Sequence, residues 1–141
     1  MSIVLLAEAL LVLPVARIAS RTVPFVKVAG RMGWSPGEAA AGLGEAELTL
    51  ATKVGAAVDL ARRIYRMEDA CLAQSYTTKS MLGRRGIATT LVFGWRIKGS
   101  AALAPEFVPE AHTAFHAWVE ADGQSVTCEF ASAHTTVCRY C

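Results

Sequence analysis

The sequence predicts an α+β fold, with a helical N-terminal half followed by a helix that opens on a cysteine and a small antiparallel sheet. Three observations carry this. In the first half, apolar residues recur at helical spacing, most clearly Leu50, Val54, Val58 and Ala61. After Arg85 the texture becomes β-branched and aromatic, in Ile87-Ala-Thr-Thr-Leu-Val-Phe-Gly-Trp-Arg-Ile97. Further on, Asp122-Gly123 separates two strand-like runs, the signal of a two-residue hairpin.

Each element follows in order. Residues 3–13 are apolar nearly all round, which suits a buried helix. A second segment, 15–32, sets Ile18, Val23, Val26 and Met32 among Arg17, Arg21, Lys27 and Arg31, and Pro24 kinks or divides it. Gly33-Trp34 is a break, after which Ser35 and Pro36 read as an N-cap and a first helical residue. Residues 38–46, rich in Ala and Gly, are poorly defined, and a firm helix runs from Leu48 to Tyr65. The helix opening at Cys71 ends at Gly83 to Gly86, with Arg84 and Arg85 in its last turn. Residues 99–112 form a loop, Ala114 to Ala121 a strand, and Gln124 to Phe130 another. The tail, 131–141, has no clear pattern. One domain is expected, with a helical scaffold over 1–66, a core over 67–130 and the tail.

Composition limits the function. With 141 residues the chain can bury one core, and 53% hydrophobic against 18% charged residues argues against disorder. A net charge of +2, without a basic patch interleaved with aromatics, excludes a nucleic-acid partner. The clusters Arg62, Arg63, Arg66 and Arg84, Arg85 read as solvated helix ends. The N-terminal run lacks a positive n-region, carries Glu8 inside it and has Pro14 near its end, so it does not read as a signal peptide. It is also too short to span a bilayer, which leaves peripheral membrane contact as a minor alternative. A cytoplasmic location follows, with the four cysteines at 71, 128, 138 and 141 kept reduced.

The most informative pair is Cys71 and His116. A thiol at a helix start meets unpaired N–H groups that favour an anion. A histidine on a later strand, in Phe115-His-Ala-Trp-Val-Glu-Ala-Asp-Gly123, supplies the base that activates such a nucleophile. Taken singly, Cys71 reads as a small buried hydrophobe and His116 as a core histidine, and the pairing is what favours chemistry. Trp95 and Trp118 read as core, and Glu120 as either near the site or paired with an arginine.

These residues resemble a known family. Cys71-Leu, Leu82-Gly-Arg-Arg-Gly-Ile87, Thr90-Leu-Val-Phe-Gly94 and His116-Ala-Trp-Val-Glu120 with Asp122-Gly123 are similar to the lasso-peptide biosynthesis B proteins, over residues 66–130. The resemblance implies a transglutaminase-like (papain-like) cysteine peptidase that removes the leader from a ribosomally made precursor. It implies Cys71 as nucleophile and His116 as general base, with no cofactor or metal. It also implies a separately encoded leader-recognition protein and a separate ATP-dependent lasso cyclase as partners, ATP being the cyclase's cofactor.

The family's third member is an aspartate twelve residues after the histidine, and here that position is Cys128. The Asp122-Gly123 turn pairs Ala121 with Gln124 and, counted back, His116 with Glu129. Glu129 is therefore the expected orienter of His116, with Asp122 the alternative. A one-residue slip would exchange Glu129 for Cys128. A rival from another class is a zinc module using Cys128, His134, Cys138 and Cys141, with His112 and His116 a further four-spaced pair. A third reading is a non-catalytic member that binds leader or cyclase, motivated by the missing aspartate.

Overall fold

The N-terminal run forms a single 20-residue helix, α1 (Ile3–Thr22), in a computed structural model that describes residues 2–96, 115–127 and 134–141. The helix passes straight through Pro14, where a break between 13 and 15 was expected. Proline removes the N–H that would meet the Leu10 carbonyl. The Tyr65 hydroxyl donates to that carbonyl instead, at 2.7 Å. The break comes at Val23, whose extended backbone is what a residue before proline prefers. By length and composition α1 meets the requirement for a membrane span, contrary to the expectation from the apolar run Met1–Ala16. It also packs: Leu5, Ala9, Leu13 and Ala16 are buried on one face. Burial all round is not found, since Ile3, Val4, Leu11, Val15 and Ile18 are largely exposed.

Helix α2 (Phe25–Met32) ends at Gly33, whose φ of 73° is the left-handed conformation that a side chain disfavours. No helix begins at Ser35 and Pro36. That segment lies along the last strand instead, with Ser35 and Cys141 exchanging backbone hydrogen bonds at 2.9 and 3.1 Å and Gly37 N–H donating to Arg139. The sequence after Gly33 thereby covers a sheet edge that would otherwise be open.

Helix α3 (Glu45–Ile64) starts at Gly44, whose N–H donates to Glu47 at 2.8 Å. Its buried face is built from small residues, Ala51, Val54, Gly55, Ala57, Val58 and Ala61, which let neighbouring backbones approach. Gly55 is required: a Cβ there would lie 2.3 Å from the Val126 carbonyl oxygen. Helix α4 (Cys71–Gly83) packs against α1, α3 and the sheet. The arginines at its end are not simply solvated, because Arg84 and Arg85 both pair with Glu8 of α1. Likewise Arg62 and Arg63 pair with Asp59.

The sheet is antiparallel, in the order β3-β2-β1-β4 among the described residues, from β1 (Thr90–Arg96), β2 (Phe115–Ala121), β3 (Gln124–Ser125) and β4 (His134–Tyr140). Within the tail that has no clear sequence pattern, His134–Tyr140 is thus a strand, paired along β1 with a bulge at Phe93/Gly94. Leu91, Phe93, Ala117, Val119 and Ala121 join the helices in one core. Trp118 is buried as expected, whereas Trp95, at the end of β1, is 52% exposed.

Candidate active site

Cys71 is the first residue of α4, and its thiol is free and partly buried. The N-cap is Ala70, which has no side chain to cap the helix, and no acidic residue stands in the first turn. The first N–H groups are therefore left by the side chains for other acceptors. The turn ahead of Cys71 is unusual in that Arg66 and Asp69 both adopt left-handed conformations, with φ of 51° and 47°. Surrounding structure must hold such a turn. The Arg17 guanidinium donates to the Glu68 and Asp69 carbonyls at 2.8 and 2.6 Å, and Arg62 donates to Met67.

His116 is the second residue of β2 and lies opposite Gly94. Two contacts fix its level relative to α4. Lys79, near the end of the helix, donates to the Thr89 carbonyl just before β1, at 2.5 Å. One turn earlier, Tyr76 stacks on Phe25, whose ring also meets Phe93 in mid-strand at 4.8 Å. Helix and strand therefore run in opposite directions. The next step along each leads to Cys71 on the helix and to the Gly94–His116 pair on the sheet, so both candidate residues lie toward one end of the fold.

Strand alternation sets the face. Ala117, Val119 and Ala121 point into the helical core, so His116, Trp118 and Glu120 stand on the other face of β2. There the Trp118 indole N–H donates to Glu120 at 2.8 Å, and Arg139 of β4 donates to the same carboxylate, also at 2.8 Å. Glu120 is thus paired with an arginine, as one of its two sequence readings had it. Nothing in the sequence marks the segment of Arg139 as a strand, so this partner is not legible there. The His116 and Trp118 rings lie 6.4 Å apart, inclined by 27°.

The hairpin has the expected register at Ala121–Gln124 and Glu120–Ser125, with Asp122 and Gly123 both left-handed. The pairing then changes. Val126 N–H still meets the Val119 carbonyl, but the Val119 N–H goes to the Thr127 hydroxyl. The described pairing thus departs from the regular ladder at Val119, and Cys128 and Glu129 lie outside the described residues, as do His112 and the 99–112 loop. Asp122 accepts the Gly42 N–H at 3.0 Å. It sits six residues along an extended strand from His116, about 20 Å away, and so cannot orient the imidazole. Of the nominal zinc ligands, Cys138 is exposed on β4 and Cys141 lies against Ser35. The described residues contain no cluster of three metal-ligating side chains.

A second feature lies at the other end of α4. Lys79 is only 6% exposed, and burial holds its ammonium down to about 8, with Cys141 opposing that shift. It stands 5.5 Å from the Trp34 ring and lines an open cleft of about 570 Å³ with Trp34, Thr89 and Cys141. This cleft is separate from the Cys71 end of the helix.

A family model described as the transglutaminase-like superfamily matches residues 9–138. No curated protein and no solved structure matches the chain.

Proposed function

The chain belongs to the transglutaminase-like superfamily, and from that premise we propose that it is a cysteine peptidase that removes the leader from a lasso-peptide precursor. The single observation that supports catalysis is the free Cys71 thiol at an uncapped helix start. In this reading the Cys71 thiol passes its proton to His116, and the thiolate attacks the carbonyl carbon of the last leader residue. The tetrahedral intermediate collapses, His116 gives a proton to the leaving amine of the core peptide, and an acyl-enzyme remains. Water, losing a proton to His116, then releases the leader as a carboxylate and restores the thiol. The Cys71 backbone N–H is one oxyanion donor.

His116 stands on the sheet face turned away from the helical core, and in this reading the imidazole reaches the thiol around the end of β2. The third group is Glu129 in this reading. The protein works in the cytoplasm beside a separate leader-recognition protein and an ATP-dependent cyclase, and the exposed apolar face of α1 offers a surface for such a partner.

The test is cleavage of the precursor by the wild type and by Cys71→Ala. The reading predicts loss of cleavage with melting temperature and circular dichroism unchanged. Cleavage retained by Cys71→Ala would overturn it. Intact precursor binding without cleavage by the wild type would favour a non-catalytic leader-binding member, the reading that the cysteine at position 128 motivates.

A further inference from the structure

We propose that Trp118, locked by Glu120 and Arg139, is the platform that sets the orientation of the His116 imidazole. This assigns positioning residues and rests on the role given to His116 above. The near-parallel His116 and Trp118 rings, 6.4 Å apart, fall in the range of offset stacking. Directly across the sheet from His116 stands Gly94, which has no side chain to support the imidazole. Among the described residues of β2, Trp118 is a same-face neighbour.

A platform is useful only if it is fixed, and three observations show that it is. Trp118 is 1% exposed, so its rotamer has no room to change. Its indole N–H donates to one oxygen of Glu120 at 2.8 Å, and the other oxygen accepts from Arg139 at 2.8 Å. Arg139 is itself held by Glu38, at 3.1 Å. The register explains the geometry: Trp118 and Arg139 both pair with Val92, from opposite sides of β1, and so lie in one row across the sheet. From that row the arginine reaches the carboxylate of Glu120, which pairs with Thr90 two residues along β1. A segment near the end of the chain is thereby connected to the candidate base through a carboxylate and an indole.

The experiment uses the full chain with carbon-13-labelled histidine, the His116 ring signals being assigned from His116→Gln. Glu120→Ala and Arg139→Met should each move or broaden those signals, and Glu120→Ala should also shift the Trp118 indole N–H resonance. Trp118→Leu should move them most, whereas Trp118→Phe, which keeps a stacked ring, should return them toward wild type. Where the wild type cleaves precursor, Trp118→Leu should lower kcat on the order of 100-fold with KM unchanged. Should Trp118→Leu fail to fold, Glu120→Ala and Arg139→Met decide the matter alone. His116 signals identical to wild type in Glu120→Ala and Arg139→Met would overturn the proposal. Absence of cleavage by the wild type would count against the peptidase reading and leave the resonance test in force.

Discussion

Arg17 and Arg62 tie the turn ahead of Cys71 to α1 and α3 through backbone carbonyls, whereas the strand of His116 is held by rings and by pairing with other strands. The first arrangement is directional. Each guanidinium holds carbonyls of a turn whose Arg66 and Asp69 are left-handed, and the far end of α4 is held by Glu8 against Arg84 and Arg85. The second is collective. Phe93 meets Phe25, Phe115 and Tyr140, and Trp118 connects to Arg139 through Glu120. A nucleophile at a helix start can be positioned by its own turn. A base on a strand takes its position from residues that arrive from elsewhere in the chain.

The comparison sharpens first by loosening the helical layer. Leu13 is fully buried between α1 and its neighbours, and Leu13→Ala should cost about 2–5 kcal/mol by urea unfolding. Trp95→Ala, at the exposed end of β1, should cost much less despite the larger side chain. An equal cost would mean that the sheet end is as tightly packed as the helices.

Next comes the buried lysine where the two layers join. Between its folded value of about 8 and the ordinary lysine value near 10.4, the unfolded chain binds a proton that the folded chain does not. Stability should therefore rise with pH across that window, by about 3 kcal/mol at most. Burial also raises the Tyr76 hydroxyl to about 12, so its opposing loss begins only near pH 10. Melting at pH 7.5 and 9.5 should show the rise in the wild type and not in Lys79→Met.

A smaller effect tests the directional ties. The hydrogen bond from Arg85 holds the Glu8 carboxyl below its usual value against the opposing effect of burial, and the charges of Arg85 and Arg84 lower it further. Its stabilisation is complete above the unfolded value near 4.3 and is lost as pH falls through the lower folded value. Glu8→Gln should cost about 2 kcal/mol at pH 7 and less at pH 3, read from melting at the two pH values. Smallest is Tyr65→Phe, which leaves the Leu10 carbonyl beside Pro14 without its donor and should cost about 1 kcal/mol in the same assay.

The same contrast explains what could be read from the sequence. The α4 helix, the strand before the hairpin and the turn at Asp122-Gly123 are local in origin, from a cysteine-led helical run, β-branched residues and an Asp-Gly pair, and all three stand where they were expected. The features missed depend on distant partners. Pro14 reads as a helix end until Tyr65 is there to satisfy Leu10. Ser35-Pro36 reads as a helix start until β4 lies beside it. His134–Tyr140, alternating weakly, becomes a strand because β1 offers an edge. Cys128 and Glu129 lie outside the described residues, and within them the pairing departs from a regular ladder at Val119, whose N–H goes to the Thr127 hydroxyl instead of a backbone carbonyl.

The pairing of Cys71 with His116 is tested most directly by limiting iodoacetamide at pH 7, with mass mapping of each cysteine, in the wild type and in His116→Ala. The account predicts that Cys71 reacts faster than Cys128, Cys138 and Cys141, and that His116→Ala slows Cys71 alone. Equal reactivity of all four thiols, or a Cys71 rate unchanged by His116→Ala, would contradict it.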